Sequence, residues 1–78
     1  MDQSQLEDQM KALIAQHLDM PLDTVDLEMS VEEAANSLEL STLMFAAEKE
    51  FGIALPDTAI GRLRILGDLV ELVREARS

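Results

Sequence analysis

Apolar side chains recur along this chain at intervals of three and four residues, the spacing at which side chains share one face of an α-helix. The first such stripe consists of Leu6, Met10, Leu13, Ile14 and Leu18. Two later stripes consist of Leu40, Leu43, Met44, Ala47 and Phe51, and of Leu69, Val70, Leu72 and Val73. No stretch alternates apolar and polar residues over the length of a strand. The pattern therefore predicts an all-α fold.

Capping and breaking residues indicate where the two longer helices begin and end. Ser4 followed by Glu7 has the spacing of a capping box, which predicts the start of the first helix, and Pro21 marks the break after it. The second helix is expected to run from about Ser37 to Phe51 and to end at Gly52, a residue type common just past a helix end.

Shorter segments complete the predicted bundle. A short third helix is expected from Pro56 and Asp57 to about Ile60, and a last helix from about Asp68. Residues 19–35 form a long loop between the first two helices, and Ser30 and Glu33 are expected to cap one helical turn within it. The loop residues expected to point inward are Leu22, Val25, Leu27, Met29 and Val31. We therefore predict one small four-helix bundle spanning residues 1–78.

The size of the chain limits how such a bundle is stabilised. With 78 residues it is one small domain, and without cysteine it has neither disulfides nor thiolate metal ligands. A hydrophobic share of 47% is nonetheless typical of a folded globule. The acidic residues of the long loop lack the glycine-centred order of a calcium-binding loop, so no metal site is predicted.

The net charge of −10 indicates which partners the surface attracts. Such a surface repels nucleic acids and anionic membranes and attracts proteins with basic docking surfaces. No apolar run approaches the roughly 20 residues that span a bilayer, and the polar start is unlike a signal peptide, so a cytoplasmic monomer is expected. The lone histidine, His17, is expected to be a half-buried packing residue, and no catalytic residue is predicted.

Ser37, at the start of the second helix, allows two interpretations. In the first, Ser37 is the N-cap, a position that serine commonly occupies. In the second, Asn36 is the N-cap and Glu39 stands at N3, which leaves the Ser37 hydroxyl available. A phosphate attached to that hydroxyl would be favoured by the unpaired amides and the dipole at the helix start.

Another stripe on the second helix lies away from its core positions. Leu38, Ser41 and Phe45 form this stripe, so two large apolar side chains are expected to be partly exposed near the helix start. Glu39 and Glu48 flank it. An exposed apolar strip bordered by carboxylates is a plausible docking surface for another protein.

Taken together, these segments resemble the acyl carrier protein family. The family's Asp-Ser-Leu motif, amphipathic second helix, Glu-x-Glu-Phe and I-P-D sequences are matched by NSLELSTLMFAAEKEFGIALPD, and the start of its last helix by GDLVELV. The resemblance covers nearly the whole chain. It implies a non-catalytic protein that carries acyl groups as thioesters on a 4′-phosphopantetheine arm, which is derived from coenzyme A and attached to Ser37.

The resemblance also implies partners and further site residues. A phosphopantetheinyl transferase would supply the metal and the base that Ser37 lacks. Other partners would be acyl-transfer, ketosynthase or acyl-activating enzymes of a fatty acid, polyketide or specialised lipid pathway. The implied partner-binding residues are Asn36, Leu38, Glu39, Ser41, Phe45 and Glu48. The implied acyl pocket is lined by Leu40, Met44 and Ala47.

Several positions depart from the pattern of the family. Asn36 stands in place of the usual aspartate, and Glu33 and Ala34 stand in place of a leucine and a glycine. A carboxylate cannot occupy an apolar slot at low cost, so the approach to the second helix is expected to be arranged differently. Thr42 and Lys49 replace residues that are commonly acidic.

The departures continue before the last helix, where Arg64 and Ile65 replace a threonine pair, so either Gly67 is the N-cap or the helix start is unusual. Together they favour a specialised carrier over a housekeeping fatty-acid carrier. Two other hypotheses stay open. One is a carrier-like interaction module that works without the arm, and the other is an aminoacyl or peptidyl carrier.

Overall fold

The computed structural model describes residues 3–77, without the side chains of Gln3 and Ser4. Its α-helices are α1 (Gln3–Leu18), α2 (Val31–Ala34), α3 (Ser37–Phe51) and α4 (Leu66–Arg77). The connections contain two 3-10 helices, Leu22–Thr24 and Asp57–Arg62. The all-α prediction is confirmed: the four predicted helices correspond to α1, α3, the second 3-10 helix and α4.

The core forms where the apolar stripes of α1, α3 and α4 meet. Its largest fully buried side chains are Met10, Ile14, Leu43, Leu66, Leu69 and Val73. Burying a side chain of this size contributes about 1.5–3 kcal/mol. Helices of this length are marginal on their own in water, so the shared core is what holds them.

Both ends of α3 lie where the sequence predicts them. At the start, the Asn36 side-chain oxygen accepts a hydrogen bond from the Glu39 amide at 2.8 Å, and the Glu39 carboxylate accepts one from the Asn36 amide at 3.0 Å. This pair is a complete capping box. At the end, Gly52 has a φ of 65°, the left-handed conformation that glycine adopts without strain.

The buried face of α3 matches the prediction except at its last residue. The buried residues are Leu40, Leu43, Met44 and Ala47. Phe51 is only half-buried, because it stands at the very end of the helix, where the core is open to one side. The Arg77 guanidinium covers part of its ring, 5.3 Å from the ring centroid.

The long loop after α1 packs on the core through fewer residues than predicted. Val25 and Val31 are buried, and Leu27 and Met29 are partly buried. The prediction for Leu22 is wrong, since its side chain is 55% exposed. Leu22 begins the first 3-10 helix, which buries none of its residues, and Val25, just after that helix, takes the inward position.

The single turn of α2 leads the chain into α3. The Ser30 hydroxyl oxygen accepts a hydrogen bond from the Glu32 amide at 3.3 Å, so the predicted cap by Ser30 is confirmed. The prediction for Glu33 is wrong, since within residues 3–77 its carboxylate accepts no hydrogen bond from the Ser30 amide. Glu33 is exposed, whereas Val31 and Ala35 are buried. The approach to α3 thus keeps the Glu33 carboxylate in water and avoids the cost of burying it without a partner.

A backbone seam, formed by residues 27–31 and 64–67, fixes the long loop to the start of α4. Its hydrogen bonds run from Val31 N to Arg64 O at 3.0 Å, from Leu66 N to Met29 O at 3.0 Å, and from Gly67 N to Leu27 O at 2.7 Å. Ser30 and Ile65 form an antiparallel bridge within it. A Cβ on Gly67 would lie 3.1 Å from the Leu27 carbonyl oxygen, so this close approach favours glycine.

The helix α4 begins at Leu66, ahead of the predicted start at Asp68. The Asp68 carboxylate accepts hydrogen bonds from the Arg64 amide at 2.9 Å and the Ile65 amide at 3.2 Å. Asp68 therefore closes the helix start from inside the first turn. The missing threonine pair left two possibilities, and the unusual start is the one observed. Gly67 is not the N-cap, because it lies inside the helix.

Two predictions on α1 need correction. The helix includes Gln3, so Ser4 lies within it rather than at its N-cap, and the Ser4 side chain lies outside the described residues. His17 is exposed rather than half-buried. Its side chain borders a surface hollow between α1 and α3 instead of packing into the core.

Candidate functional site

Ser37 is the first residue of α3, and its side chain is exposed. Asn36 and Glu39 form the capping box, so Asn36 is the N-cap and the interpretation of Ser37 as the cap is wrong. Within residues 3–77, no hydrogen bond engages the Ser37 hydroxyl. The hydroxyl is therefore both accessible and unoccupied by any structural role.

The start of α3 also carries the partial positive charge of a helix N-terminus. The first amides of a helix have no acceptor inside the helix. The capping box satisfies the amides of Asn36 and Glu39, whereas those of Ser37 and Leu38 have no acceptor among the described residues. These two donors and the helix dipole favour an anion bonded to the Ser37 oxygen.

The face of α3 beside Ser37 exposes large apolar side chains. Leu38 is 77% exposed and Phe45 is 63% exposed, and Ser41 between them is exposed as well. Exposure of both is what the sequence predicts for this stripe. The opposite face of the same helix carries Leu40, Met44 and Ala47, which are buried in the core.

The two flanking carboxylates have different surroundings. Glu39 is exposed, and one of its oxygens accepts from the Asn36 amide. Glu48 is half-buried, and its carboxylate accepts from the Leu55 amide at 2.8 Å, which holds the segment after α3 against the helix. Glu39 thus adds negative charge at the Ser37 end, whereas Glu48 is engaged within the protein.

A shallow hollow between α1 and α3 contains residues that the site prediction left out. Its lining comprises Leu13, Gln16, His17, Thr42, Phe45, Ala46, Lys49 and Glu50. The sequence indicates Thr42 and Lys49 only as departures from the family pattern, and it predicts His17 only as a packing residue. Their shared location depends on how α1 packs against α3, which no local sequence pattern indicates.

The described residues offer no reactive cluster beside Ser37. In residues 3–77, no group of three or more His, Cys, Asp and Glu side chains is arranged to hold a metal ion. None of the helices in this part of the chain combines the length and hydropathy of a membrane span. The fold and the site together define a small helical domain that presents a serine at a helix start.

Comparisons with known proteins identify that class. A family model for the phosphopantetheine attachment site matches residues 8–73. An acyl carrier protein from Thermosynechococcus vestitus is 32% identical over 75 residues, which cover 94% of this chain and 93% of the relative. The chain therefore belongs to the acyl carrier protein family, whose members are carriers rather than catalysts.

Membership of this family defines the prosthetic group and the general partners. The group is a covalently attached 4′-phosphopantetheine. Membership also implies contact with a phosphopantetheinyl transferase and with enzymes that handle acyl groups.

Proposed function

We propose that Ser37 is the residue to which 4′-phosphopantetheine is attached. The observation that carries this proposal is that Asn36 caps α3 and leaves the Ser37 hydroxyl exposed. The group fits this position, because a phosphodiester on Ser37 would lie beside the unpaired amides of Ser37 and Leu38. Ser41, one turn later, is equally exposed but lies inside the helix, where the amides are already bonded.

The attachment is a phosphoryl transfer from coenzyme A. The Ser37 oxygen forms a bond to the β-phosphorus, and the bond from that phosphorus to the bridging oxygen breaks, so that adenosine 3′,5′-bisphosphate leaves. The Ser37 proton passes to a base on the transferase, since no side chain of the described residues bonds this hydroxyl. When bound, the group supplies a thiol that holds acyl cargo as a thioester.

We assign the carrier to a dedicated fatty acid, polyketide or specialised lipid pathway, acting as a cytoplasmic monomer. Asn36, Thr42 and Lys49 support this assignment, because each removes negative charge from α3 or its cap where the family is commonly acidic. Fewer carboxylates weaken the attraction to basic partners in general. The remaining attraction then selects a narrower set of enzymes.

The enzymes that handle the cargo would dock on the exposed face at the start of α3. Leu38 and Phe45 would enter apolar pockets of the partner, and Glu39 would pair with a cation at the rim. Asn36 and Ser41 would lie within the contact, and Glu48 at its edge. An acyl chain would enter between Leu40, Met44 and Ala47 only if these buried residues move apart, because the core there is closed.

Intact mass spectrometry tests the attachment directly. The protein is incubated with coenzyme A, Mg²⁺ and a broad-specificity phosphopantetheinyl transferase, beside the Ser37→Ala and Ser41→Ala variants. We expect one added phosphopantetheine on the wild type and on Ser41→Ala, and none on Ser37→Ala. Addition to Ser37→Ala would move the attachment site elsewhere on the chain.

Circular dichroism of the same variants separates modification from folding. Since Asn36 and Glu39 provide the cap, Ser37→Ala is expected to keep its helicity and to change the free energy of unfolding by no more than about 0.5 kcal/mol. A larger loss would show that Ser37 has a structural role after all.

Loading experiments on the same protein distinguish two other functions. A carrier-like module that works without the arm would gain no mass with any transferase, including those of its own organism. An aminoacyl or peptidyl carrier would be modified but then loaded with an amino acid by an adenylating enzyme. The charge of −10 disfavours this last function.

A further inference from the structure

A second hollow lies on the surface between α2 and the end of the second 3-10 helix. We call it the polar hollow. Its volume is about 490 Å³, and its lining comprises Ser30, Glu32, Gly61, Leu63, Arg64 and Ile65. The helix α2 contributes one side, and two residues after α2 the chain enters α3. The other side follows the second 3-10 helix, which packs against α3. The polar hollow therefore lies between the segment that leads into α3 and the segment that packs on it.

Arg64 has a fixed backbone and an unpaired side chain at this hollow. Its amide donates to the Asp68 carboxylate at 2.9 Å, and its carbonyl oxygen accepts from the Val31 amide at 3.0 Å. Within residues 3–77, its guanidinium forms neither an ion pair nor a hydrogen bond. The fold thus holds the base of this side chain in place and leaves its charged end available to a ligand.

The α2 side of the polar hollow carries a hydrogen-bond acceptor. Glu32 is exposed, and its amide donates to the Ser30 hydroxyl oxygen at 3.3 Å. Among the described residues, nothing pairs with the Glu32 carboxylate. Leu63 and Ile65, both half-buried, add apolar surface to the lining. The hollow therefore offers one cation, one anion and two apolar side chains.

The pair of opposite charges defines the class of ligand. A simple anion would be attracted by Arg64 and repelled by Glu32, so the polar hollow does not select one. A chain with both acceptors and donors fits better, because a carbonyl oxygen accepts from the guanidinium and an amide or hydroxyl group donates to the carboxylate. The 4′-phosphopantetheine arm has amide groups of this kind, and its paired methyl groups suit the apolar part of the lining.

The arm is long enough to reach the polar hollow. Glu32 precedes Ser37 by five residues, so their Cα atoms are at most about 17 Å apart. From the Ser37 Cα to its sulfur, the arm has about as many bonds as five residues of main chain, so its extended length is also about 17 Å. Attachment keeps the arm at a local concentration of about millimolar, so weak contacts are enough to hold it.

We propose that the polar hollow is a docking site for the loaded arm, where Arg64 and Glu32 bind either the amides of the arm or an acyl group that carries a keto or hydroxyl oxygen. The proposal rests on the attachment of the group at Ser37. The closed core supports it: Leu40 and Met44 are buried, and a polar acyl group moved between them would lose its hydrogen bonds to water. The polar hollow receives the same group without any movement of the core.

An incidental hollow predicts a different result. Arg64 and Glu32 would then stay hydrated, and loading would affect only the start of α3. The two explanations are separated by ¹⁵N–¹H correlation spectra of the apo-protein and of protein loaded from coenzyme A, from hexanoyl-coenzyme A and from 3-oxohexanoyl-coenzyme A. In each variant, the loaded form is compared with its own apo form.

The variants test the two charged residues separately. In the wild type, we expect loading to shift the backbone amide signals of Glu32, Arg64 and Ile65. Arg64→Ala and Glu32→Gln are expected to lose most of these shifts. Arg62→Ala is the matched control and is expected to keep them, because Arg62 is also exposed and unpaired within residues 3–77 but lies outside the lining. All three variants should melt within about 3 °C of the wild type, since each changes only an exposed side chain.

The loaded forms also identify which group is bound. Shifts at the polar hollow in every loaded form identify the amides of the arm, and shifts only in the 3-oxohexanoyl form identify the acyl group. The proposal is overturned if the shifts stay within residues 37–40, if they persist in Arg64→Ala, or if Arg62→Ala loses them equally. It is also overturned if both acylated forms shift the signals equally and the unacylated form does not, since the keto oxygen would then be irrelevant. Absence of any added mass on the wild type would instead refute the attachment at Ser37, so the two failures are distinct.

Discussion

The helices α3 and α4 begin in opposite ways. At the start of α3, the amides of Ser37 and Leu38 have no acceptor among the described residues, and both residues are exposed. At the start of α4, the equivalent amides of Leu66 and Gly67 donate to carbonyl groups of the long loop, at 3.0 and 2.7 Å. Both helices thus have the same two surplus donors, and only one helix uses them to hold the fold together.

The side chains at the two helix starts also differ: those of α4 take part in the fold, whereas those of α3 are exposed. Leu66 is 0% exposed in the core, whereas Leu38 is 77% exposed. The carboxylate of Asp68 reaches back to close the chain before α4, whereas Glu39 closes only the capping box of its own helix. The start of α4 therefore cannot change without disturbing the fold. The start of α3 is left open, because the amides of Ser37 and Leu38 hold no other part of the described chain.

Replacing a leucine by alanine at each helix start tests this difference most strongly. Leu66→Ala removes a fully buried side chain and leaves a cavity, so the free energy of unfolding should fall by about 2–5 kcal/mol. Leu38→Ala removes a side chain that is mostly in water and should change it by about 0.5 kcal/mol or less. Urea denaturation followed by circular dichroism measures both.

The loss expected for Leu66→Ala is large for this protein. A domain of 78 residues has a total stability of about 4–12 kcal/mol. A comparable loss in both variants would show that Leu38 packs against the protein in solution. The description of the α3 start as open to solvent would then be wrong.

The side chains that cap the two helices, Asp68 at α4 and Asn36 at α3, provide a second test with a smaller expected effect. Asp68→Ala removes the acceptor for two amides, those of Arg64 and Ile65, and frees one side of the seam. Asn36→Ala removes the acceptor for one amide, that of Glu39. We expect losses of about 2 kcal/mol for Asp68→Ala and about 1 kcal/mol for Asn36→Ala. Equal losses would mean that the seam holds without Asp68.

The same contrast explains how much of the structure the sequence predicts. The bounds of α3 and its exposed stripe are predicted correctly, because each depends on residues within one or two turns of each other. Its capping box is one of two alternatives that the sequence leaves open, and the structure selects it. The start of α4 is misplaced, because backbone groups of Met29 and Leu27 extend the helix to Leu66. This pairing joins residues far apart in the sequence, so the spacing of residues around α4 does not predict it.

The residues of the candidate site also fall into two groups, those that local spacing predicts and those that only the packing of the helices brings together. The place of Ser37 at a helix start follows from local spacing. Its unbonded hydroxyl does not, because the sequence allows either Ser37 or Asn36 as the N-cap and only the structure selects Asn36. The hollow lined by His17 and Lys49 depends on the packing of α1 against α3, so no local sequence pattern predicts it. The prediction for Leu22 is wrong for a related reason. Its apolar character predicts burial, but the 3-10 helix that contains it faces solvent.

The smallest expected effect on stability comes from Asn36→Asp, which restores the residue usual in the family. Aspartate and asparagine cap helices equally well, and the added charge interacts favourably with the dipole of α3 by about 0.3–1 kcal/mol. Glu39 lies at the same helix start, and its repulsion with the new carboxylate offsets part of this gain. We therefore expect a rise in melting temperature of about 1–3 °C, measured by circular dichroism.

The effect of Asn36→Asp on loading tests what the open start of α3 is for. If a basic surface of the transferase approaches Ser37, the added carboxylate raises kcat/KM at low salt, and the gain shrinks at high salt. Ser41→Asp adds the same charge one turn later without touching the cap, so a gain specific to position 36 separates a directed contact from general attraction. A fall in kcat/KM for Asn36→Asp alone would show instead that the transferase recognises the neutral carboxamide, and that Asn36 selects the enzyme rather than merely slowing its approach.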